Sequence, residues 1–152
     1  MFSLENKNAV VTGGASGIGL AISKLFATQG AVVHILELNY SLAKDEAEKI
    51  NANNGKAFAY ELNITDQAKV KETMSRIAKK GVIDILINNA GIAHVGTAET
   101  TTEEDFDRIV SVNVKGTYNC IHACIPFMRK QNKGVILNMA SVASSVGLPE
   151  RF

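Results

Sequence analysis

Short apolar runs alternate with longer amphipathic segments along the whole chain. The short runs are apolar on both faces, which is typical of parallel strands covered on both sides, and the longer segments repeat their apolar residues at helical spacing. The strands predicted in this way lie at residues 7–12, 31–36, 57–62, 83–87 and 134–139. Their regular alternation with helices indicates a parallel sheet with helices on both faces.

The segments between these strands carry the start and stop signals of helices. The first helix is predicted over residues 17–29, and Gly30 ends it. Ser41 is the expected N-cap of the second helix, and either Thr65 or Asp66 is the expected N-cap of the third. The connections are short and no linker composition appears, so no domain boundary is predicted.

A long helix is predicted from about Phe106 to Lys130, and Pro126 is the residue at which it would break. With this helix, residues 1–152 form one α/β domain of the Rossmann type, a doubly wound parallel sheet with strand order 3-2-1-4-5. Strands 1 and 4 then flank the point at which the strand order reverses. Ligands of such sheets bind beyond the carboxyl ends of the strands, so a site is expected at that edge.

The composition is that of an ordinary globular protein, and it excludes several function classes. The 152 residues are 46% hydrophobic and 20% charged with a formal net charge of +1, so no broad field would attract nucleic acid or a membrane surface. No apolar stretch could span a bilayer and the N-terminus lacks the order of a signal peptide, which favours a cytoplasmic location. Cys120 and Cys124 are expected to be buried thiols, and no metal site is predicted.

A glycine-rich loop at residues 12–19, Thr-Gly-Gly-Ala-Ser-Gly-Ile-Gly, joins the first strand to the first helix. A helix N-terminus offers unpaired N–H groups and partial positive charge, and glycines allow a pyrophosphate to approach the backbone. The spacing differs from the commoner Gly-x-Gly-x-x-Gly, because Ile22 stands where the last glycine would be. Alone, the loop could be only a tight turn. Glu37, residues 88–91 and Ser141 also follow strand ends, and this convergence favours a binding site.

Four motifs, in chain order, resemble those of the short-chain dehydrogenase/reductase family. The loop at 12–19 looks like its Thr-Gly-x-x-x-Gly-x-Gly motif, and Asn-Asn-Ala-Gly at 88–91 is similar to the motif that follows its fourth strand. Asn-Val-Lys-Gly at 113–116 resembles its Asn-Val-x-Gly stretch, and Leu-Asn-Met-Ala-Ser at 137–141 resembles the segment that ends in its catalytic serine. The resemblance covers the family's NAD-binding portion, because its Tyr-x-x-x-Lys motif would begin just beyond Phe152.

This resemblance implies a nicotinamide cofactor. The residues that it assigns to the cofactor are Gly13, Ser16, Gly17, Ile18, Gly19, Glu37, Asn63, Ile64, Asn89, Ala90 and Gly91. Glu37 stands about where an acid binds the hydroxyls of the adenosine ribose, and a carboxylate there repels the 2′-phosphate of NADP. NADP-dependent relatives often carry Arg or Lys at the positions held here by Ser16 and Leu38. The predicted cofactor is therefore NAD, with NADP less favoured.

Several residues near this site have a structural interpretation as well. Asn63 stands where many relatives have aspartate, so its amide could accept a hydrogen bond from adenine or could cap the following turn. Asn89 is expected to join neighbouring strands through its amide, and Gly14 is either required by the turn or only permitted there. His94 and Val95, on the loop after the fourth strand, are either substrate contacts or ordinary surface residues.

The resemblance names two catalytic residues within this chain. It implies that the Ser141 hydroxyl orients the substrate oxygen, and the spacing to the family's tyrosine favours Ser141 over Ser144 and Ser145. It implies that Asn113 accompanies a local opening of the long helix, whose carbonyl holds a water linked to the catalytic lysine. The expected reaction transfers a hydride between nicotinamide and a secondary alcohol or ketone, with the tyrosine as general acid/base.

The expected partners are a small-molecule substrate and further copies of the chain, with no nucleic acid or membrane. The long helix carries more apolar residues than one sheet face covers, and the family pairs this helix across a two-fold axis, so a homo-tetramer is expected. Residues 1–152 alone are expected to be inactive, because the tyrosine and lysine would lie beyond them. If they are the whole protein, a nucleotide-binding module without catalysis and an interaction protein are the alternatives.

Overall fold

The computed structural model describes residues 2–148, and its centre is a parallel sheet in which the strands, numbered along the chain, have the order 3-2-1-4-5. The strands are β1 (Asn8–Thr12), β2 (Val32–Glu37), β3 (Lys56–Glu61), β4 (Ile85–Asn88) and β5 (Val135–Asn138). Each neighbouring pair is parallel. The predicted α/β architecture and strand order are therefore confirmed.

Helices connect these strands and cover both faces of the sheet. They are α1 (Gly17–Thr28), α2 (Tyr40–Ala52), α3 (Gln67–Ala78), α4 (Glu103–Ile109) and α5 (Thr117–Lys130). A π-helical segment, Val110–Gly116, joins α4 to α5, and a 3₁₀ turn, Val142–Ser144, follows β5. Each crossover returns the chain to the same end of the sheet, as parallel pairing requires.

Two apolar layers, one on each face of the sheet, hold the fold together. On one face α1 and α2 pack against strand residues that include Val33 and Ile35, and on the other face α3 and α5 pack around Met74 and Leu86. All four side chains are inaccessible to solvent. Complete burial of one such side chain contributes about 1.5–3 kcal/mol. The sheet is therefore a firm platform for the loops at its carboxyl ends.

The predicted N-cap of α2 is wrong by two residues. Asn39 occupies this position, because its backbone is extended and its Oδ1 accepts the Leu42 N–H at 3.2 Å. Ser41 lies instead within the first turn of the helix. At α3 the cap is Asp66, one of the two residues expected, and its Oδ1 accepts the Lys69 N–H at 3.1 Å. Each cap satisfies an N–H group that the first helical turn leaves open.

The long helix is interrupted, but not at its proline. Pro126 lies inside α5, and the interruption falls at Val110–Gly116, where the helix widens to the π form. Proline removes one hydrogen bond to the carbonyl four residues earlier, which here belongs to His122. Because Pro126 and His122 both lie on the exposed side of α5, water can satisfy that carbonyl and the helix continues.

The fourth strand is displaced from its predicted position at residues 83–87. Its pairing with β1 begins where Ile85 faces Ala9, and its pairing with β5 continues to Asn88, which faces Asn138. The strand therefore ends one residue later than the apolar run does. This extension matters because it places two asparagine side chains next to each other at the carboxyl end of the sheet.

His34 of β2 is a buried histidine between polar and aromatic side chains. Its Nδ1 lies 3.2 Å from the Tyr60 hydroxyl oxygen, and its Nε2 lies 3.4 Å from the Asn8 Oδ1. The ring stacks on Phe58 with 5.6 Å between ring centroids. Burial, together with the positive charge of Lys80, lowers the pKa of His34 to about 4. The imidazole is therefore neutral in the folded protein at neutral pH.

A loss of stability at acid pH is expected from this histidine. The unfolded chain binds the His34 proton near pH 6.5 and the folded protein near pH 4, so the free energy of unfolding falls as the pH drops through this interval. The loss amounts to about 3 kcal/mol when the interval has been crossed. Denaturant unfolding from neutral pH to about pH 4 measures it in the wild type, in His34→Gln and in His122→Gln, an exposed control. Only His34→Gln should lose this pH dependence, and equal pH dependence in all three proteins would contradict the assignment.

Candidate functional site

A cleft of about 390 Å³ opens at the carboxyl ends of the strands, where the chain passes from each strand to the next helix. All residues predicted to bind a cofactor line this cleft except Gly19, which packs beneath the glycine loop. The lining residues that the sequence analysis did not name are Leu36, Leu62, Ile92 and Val112. These side chains are apolar, and no local pattern distinguishes them from core residues.

The turn between β1 and α1 leaves the start of the helix open. Gly13 and Gly17 have φ of +61° and +49°, in the left-handed region that favours glycine. Ser16 is the N-cap of α1, but its side chain makes no capping hydrogen bond, and the first turn holds no acidic residue. A Cβ on Gly17 would meet no atom within 4 Å. The N–H groups of this turn are therefore available to an anionic group in the cleft.

Close packing requires the two other glycines of this loop. A Cβ on Gly19 would overlap the carbonyl oxygen of Gly13, and a Cβ on Gly14 would lie 3.0 Å from both the Ser23 Oγ and the Val11 carbonyl oxygen. Ser23 was not marked by the sequence, and its Oγ lies 3.0 Å from the Gly14 carbonyl oxygen and 2.9 Å from that of Gly19. Gly14 does not have a positive φ, so packing rather than turn geometry explains it.

Glu37 ends β2 at the rim of the cleft. Its Oε1 accepts the Leu38 N–H at 2.9 Å, which orients the carboxylate and leaves Oε2 to accept hydrogen bonds from a ligand. The Gly13 N–H donates to the Leu36 carbonyl at 2.8 Å, so the end of β2 is joined to the glycine loop. Ser16 and Leu38 also line the cleft, and neither supplies a positive charge beside the carboxylate.

Asn63 caps its own turn. Its Oδ1 accepts the Thr65 N–H at 3.0 Å and the Thr65 hydroxyl at 2.9 Å. Of the two interpretations that the sequence left open, the structure therefore shows the turn cap. Because both lone pairs of Oδ1 are used, a ligand beside this turn would meet the Asn63 Nδ2 or the Ile64 backbone.

Asn89 joins the end of β4 to the loop after β1. Its Nδ2 lies 3.1 Å from the Thr12 carbonyl oxygen and 3.2 Å from that of Gly13. In the other direction, Thr12 Oγ1 accepts the N–H of Asn89 at 3.1 Å and that of Ala90 at 3.0 Å. These bonds are the structural connection expected of Asn89. They hold residues 89–90 so close to the glycine loop that a Cβ on Gly13 would lie 3.0 Å from the Ala90 Cα.

Asn113 lies in the π-helical segment and holds the loop that follows β4. Its Oδ1 accepts the Ile92 N–H at 2.9 Å, and its Nδ2 donates to the Ile92 carbonyl at 2.9 Å. The Asn113 carbonyl accepts the Thr117 hydroxyl at 2.8 Å. The local opening of the long helix that the resemblance implies around Asn113 is present at Val110–Gly116. Through Ile92, the side chain of Asn113 fixes one part of the cleft wall.

Ser141 begins the turn that follows β5, at the same end of the sheet as the cleft. Its Oγ accepts the Ala143 N–H at 3.2 Å and caps the 3₁₀ turn. Asn88 Nδ2 donates to Asn138 Oδ1 at 2.8 Å, and the Met139 N–H donates to the Asn88 carbonyl at 2.9 Å. The end of β5 is thereby fixed to β4 just before Ser141.

Comparison with known proteins agrees with this geometry. A family model described as short chain dehydrogenase matches residues 7–151. The chain belongs to the short-chain dehydrogenase family. Its curated relatives include a 3-oxoacyl-[acyl-carrier-protein] reductase, FabG, of Thermotoga maritima, which is 38% identical over 147 residues, 96% of this chain and 60% of that protein. A D-threitol dehydrogenase of Mycolicibacterium smegmatis is 36% identical over 150 residues, 98% of this chain and 58% of that protein.

Solved structures of short-chain dehydrogenases share the fold. NAD⁺-bound xylitol dehydrogenase superposes with a TM-score of 0.94 at 28% sequence identity, covering 99% of this chain and 58% of that one. The present chain therefore spans about three fifths of the length of these relatives. The short-chain dehydrogenase family binds a nicotinamide cofactor, and the cleft at the ends of β1, β2 and β4 is where the residues assigned to it come together.

His94, on the loop after β4, lies next to α4. The His94 Nδ1 lies 3.8 Å from the Asp105 Oδ1, and only 14% of the His94 side chain is exposed. Asp105 is itself held by Arg108, whose NH2 donates to Oδ1 at 3.0 Å. Val95, on the same loop, is 62% exposed. Neither His94 nor Val95 lines the cleft, so they are placed beside it rather than in it.

The two cysteines of the chain are buried in α5. Cys120 and Cys124 are free thiols, as the sequence predicts, and burial raises the pKa of both to about 12. Both are therefore protonated at neutral pH and poor nucleophiles. Within residues 2–148 no cluster of His, Cys, Asp or Glu could hold a metal ion. None of the helices in that range combines the length and the apolar character needed to cross a membrane.

Proposed function

We propose that the protein is an NAD-dependent oxidoreductase that transfers a hydride between nicotinamide and a secondary alcohol or ketone. The observation that carries this proposal is the presence of Glu37 and the open N-terminus of α1 in one cleft. The helix end suits a pyrophosphate, and the carboxylate suits the two hydroxyls of an adenosine ribose. A 2′-phosphate would be repelled by Glu37 and would meet no cation at Ser16 or Leu38.

The residues of this chain would hold the cofactor at three places. The N–H groups of the first turn of α1 would bind the pyrophosphate, which Gly17 leaves room to approach. Glu37 would accept hydrogen bonds from the ribose hydroxyls, and residues 63–64 would border the adenine. Residues 89–91, fixed against Gly13, would border the nicotinamide side.

The same residues define what this chain would contribute to the reaction. When bound, the nicotinamide supplies the hydride acceptor or donor. Ser141 Oγ, oriented by the Ala143 N–H, would hydrogen-bond the substrate oxygen. Asn113 would act as a positioning residue through its two hydrogen bonds to Ile92. The proton is expected to move through the tyrosine and lysine that the family carries beyond Phe152.

The names of the relatives support this class of substrate. They describe a reductase of a 3-oxoacyl group and dehydrogenases of threitol and xylitol, and one solved relative holds NAD⁺. Each of these names describes an enzyme that interconverts a hydroxyl and a keto group. Binding of NAD by the full-length protein without turnover of any alcohol or ketone would favour the alternative, a nucleotide-binding module.

The first test of this proposal replaces Glu37. The wild type is expected to bind NAD more tightly than NADP, and Glu37→Ala is expected to lose about 1–3 kcal/mol of NAD binding, the range of charge-assisted hydrogen bonds. The same substitution should improve NADP binding, because it removes a negative charge facing the 2′-phosphate. Titration calorimetry with both cofactors measures the change.

Glu61→Ala is the matched control for this test. Glu61 faces Glu37 on the neighbouring strand, is exposed, and does not line the cleft. Its replacement removes the same charge close by and should leave the preference between the two cofactors unchanged. Tighter binding of NADP than of NAD by the wild type would contradict the proposed cofactor choice.

We also propose that the full-length protein is a homo-tetramer. The side of α4, the π-helical segment and α5 that faces away from the sheet leaves these large apolar side chains exposed: Phe106, Val110, Val114, Tyr118 and Ile125. Light scattering at micromolar concentration is expected to give a tetramer, and Tyr118→Glu is expected to give a smaller species because it places a charge in this face. Val82→Glu, at a separate exposed position, serves as the control. A monomeric wild type would count against this assembly.

A further inference from the structure

Asn119 of α5 is completely buried, and it lies outside the cleft. Its Nδ2 donates to the Ile64 carbonyl at 2.9 Å and lies 3.4 Å from the Thr65 carbonyl oxygen. Its Oδ1 accepts from Gln67 Nε2 at 3.1 Å. All three partners belong to the connection between β3 and α3 or to the start of α3. Because a buried amide and a buried carbonyl are costly when unpaired, these bonds favour one conformation of that connection.

The connection, residues 62–65, forms one wall of the cleft and begins beside Glu37. The Leu62 N–H donates to the Glu37 carbonyl at 2.9 Å, so the 62–65 turn starts next to the residue proposed to bind the adenosine ribose. Ile64 packs so closely against the end of the π-helical segment that a Cβ on Gly116 would lie 2.5 Å from the Ile64 Cδ1. With the Ile64 carbonyl bonded to Asn119, the Ile64 N–H meets no acceptor among the described residues.

We propose that Asn119 is a positioning residue for recognition of the adenine base, an inference that rests on the proposed NAD-binding function. Asn119 acts through the 62–65 turn, because its bonds to the Ile64 and Thr65 carbonyls favour one conformation of the turn and with it one direction of the Ile64 N–H. Adenine carries an acceptor at N1, which is the complement of a backbone N–H. Asn119, which lies outside the cleft, would thus orient the Ile64 N–H, a hydrogen-bond donor on the wall of the cleft.

The experiment compares NAD with its 1-deazaadenine analogue, which keeps the ring shape and the amino group but replaces N1 by C–H. Dissociation constants are measured by titration calorimetry on the full-length protein. In the wild type, NAD is expected to bind about three- to tenfold more tightly than the analogue, the worth of one net hydrogen bond. Asn119→Leu, which removes the amide at similar volume, is expected to bring the ratio of the two constants close to one.

A second variant and a control keep this test independent of folding. Gln67→Ala changes an exposed residue and frees the Asn119 amide from one partner, so it is expected to lower the ratio about twofold. Gln131→Leu is the matched control. The Gln131 Nε2 donates to the Ile83 and Lys133 carbonyls at 2.8 and 2.7 Å at the opposite end of the sheet, so its loss should leave the ratio at the wild-type value.

Each outcome decides the inference. A ratio that falls in Asn119→Leu and in Gln67→Ala but not in Gln131→Leu supports the positioning role. Equal weakening of both dinucleotides in Asn119→Leu overturns it, because the amide would then only stabilise the fold. If Asn119→Leu does not fold, an unchanged ratio in Gln67→Ala overturns it. Tight binding of NAD by a wild type that does not discriminate against the analogue overturns this inference alone, whereas no binding of either dinucleotide overturns the proposed function with it.

Discussion

Alanine at position 19 is expected to abolish cofactor binding and to destabilise the fold. A Cβ on Gly19 would overlap the Gly13 carbonyl oxygen and lie 2.5 Å from the Asn89 Nδ2. Neither group can yield easily, because the Asn89 amide is bonded to the Thr12 and Gly13 carbonyls. The start of α1 must therefore move away from β1, and the N–H groups that would bind the pyrophosphate move with it.

The expected effects of Gly19→Ala are large on both stability and binding. The free energy of unfolding should fall by about 1–3 kcal/mol, as at other overpacked sites. The affinity for NAD should fall by about 100-fold or more, because at least two hydrogen bonds to a charged group are lost. Denaturant unfolding and titration calorimetry on the same preparation measure the two quantities.

Gly17→Ala is the matched control for Gly19→Ala. Its Cβ would meet no atom within 4 Å, although φ of +49° makes an alanine there cost about 1–2 kcal/mol. This variant should keep α1 in place. Any loss of NAD affinity would then be caused only by the added methyl group, which occupies space next to the pyrophosphate. If Gly19→Ala binds NAD as tightly as the wild type, the packing of α1 against the glycine loop does not hold the site together.

The fold could be predicted because its signals are local. Each strand is a short segment rich in apolar residues that lies next to a glycine or a polar residue, so its alternation with the helical segments indicates the parallel sheet. Glu37 could be placed at a strand end for the same reason, since the apolar run of the second strand stops at Leu36. The topology then brings Glu37 and the glycine loop to one edge without any knowledge of side-chain contacts.

The details that the sequence analysis missed depend on competition between nearby residues. Asn39 and Ser41 are both good N-caps, and the choice between them depends on where β2 ends and which side chain reaches the Leu42 N–H. The interruption of the long helix, which the family resemblance implied near Asn113, could not be located from the local sequence pattern for the same reason. Pro126 is the stronger local signal for a break, but its exposed side of α5 tolerates proline, whereas the π-helical segment accompanies the contact between Asn113 and Ile92.

The roles of two buried polar residues, Ser23 and Asn119, could not be predicted from the sequence. Ser23 bonds to the carbonyls of the glycine loop, and Asn119 bonds to a turn more than fifty residues earlier in the chain. In the sequence, both are single polar residues on an amphipathic helix, where exposure to solvent is the ordinary expectation. Their roles can be recognised only in the folded structure, because the role of a buried polar side chain on a helix depends on its hydrogen-bond partner.

Loss of the Ser141 hydroxyl is expected to impair catalysis far more than binding of the cofactor. The end of β5 is fixed by the Asn88–Asn138 amide pair and by the Met139 N–H, and Ser141 Oγ is oriented by the Ala143 N–H. A preorganised hydroxyl that hydrogen-bonds an oxygen on which charge develops contributes about 10²–10³-fold to turnover. Ser141→Ala in the full-length protein should therefore lower kcat by about that factor.

Two comparisons separate this role from a structural one. Ser145→Ala changes an exposed serine just after the 3₁₀ turn and should leave kcat at the wild-type value, because only Ser141 stands at the spacing that the family uses. The dissociation constant for NAD should be the same in the wild type and in both variants, since neither Ser141 nor Ser145 lines the cofactor cleft. NADH absorbance with a panel of secondary alcohols measures kcat. A Ser141→Ala enzyme with wild-type turnover, or an equal loss in Ser145→Ala, would show that the substrate oxygen is oriented by another group.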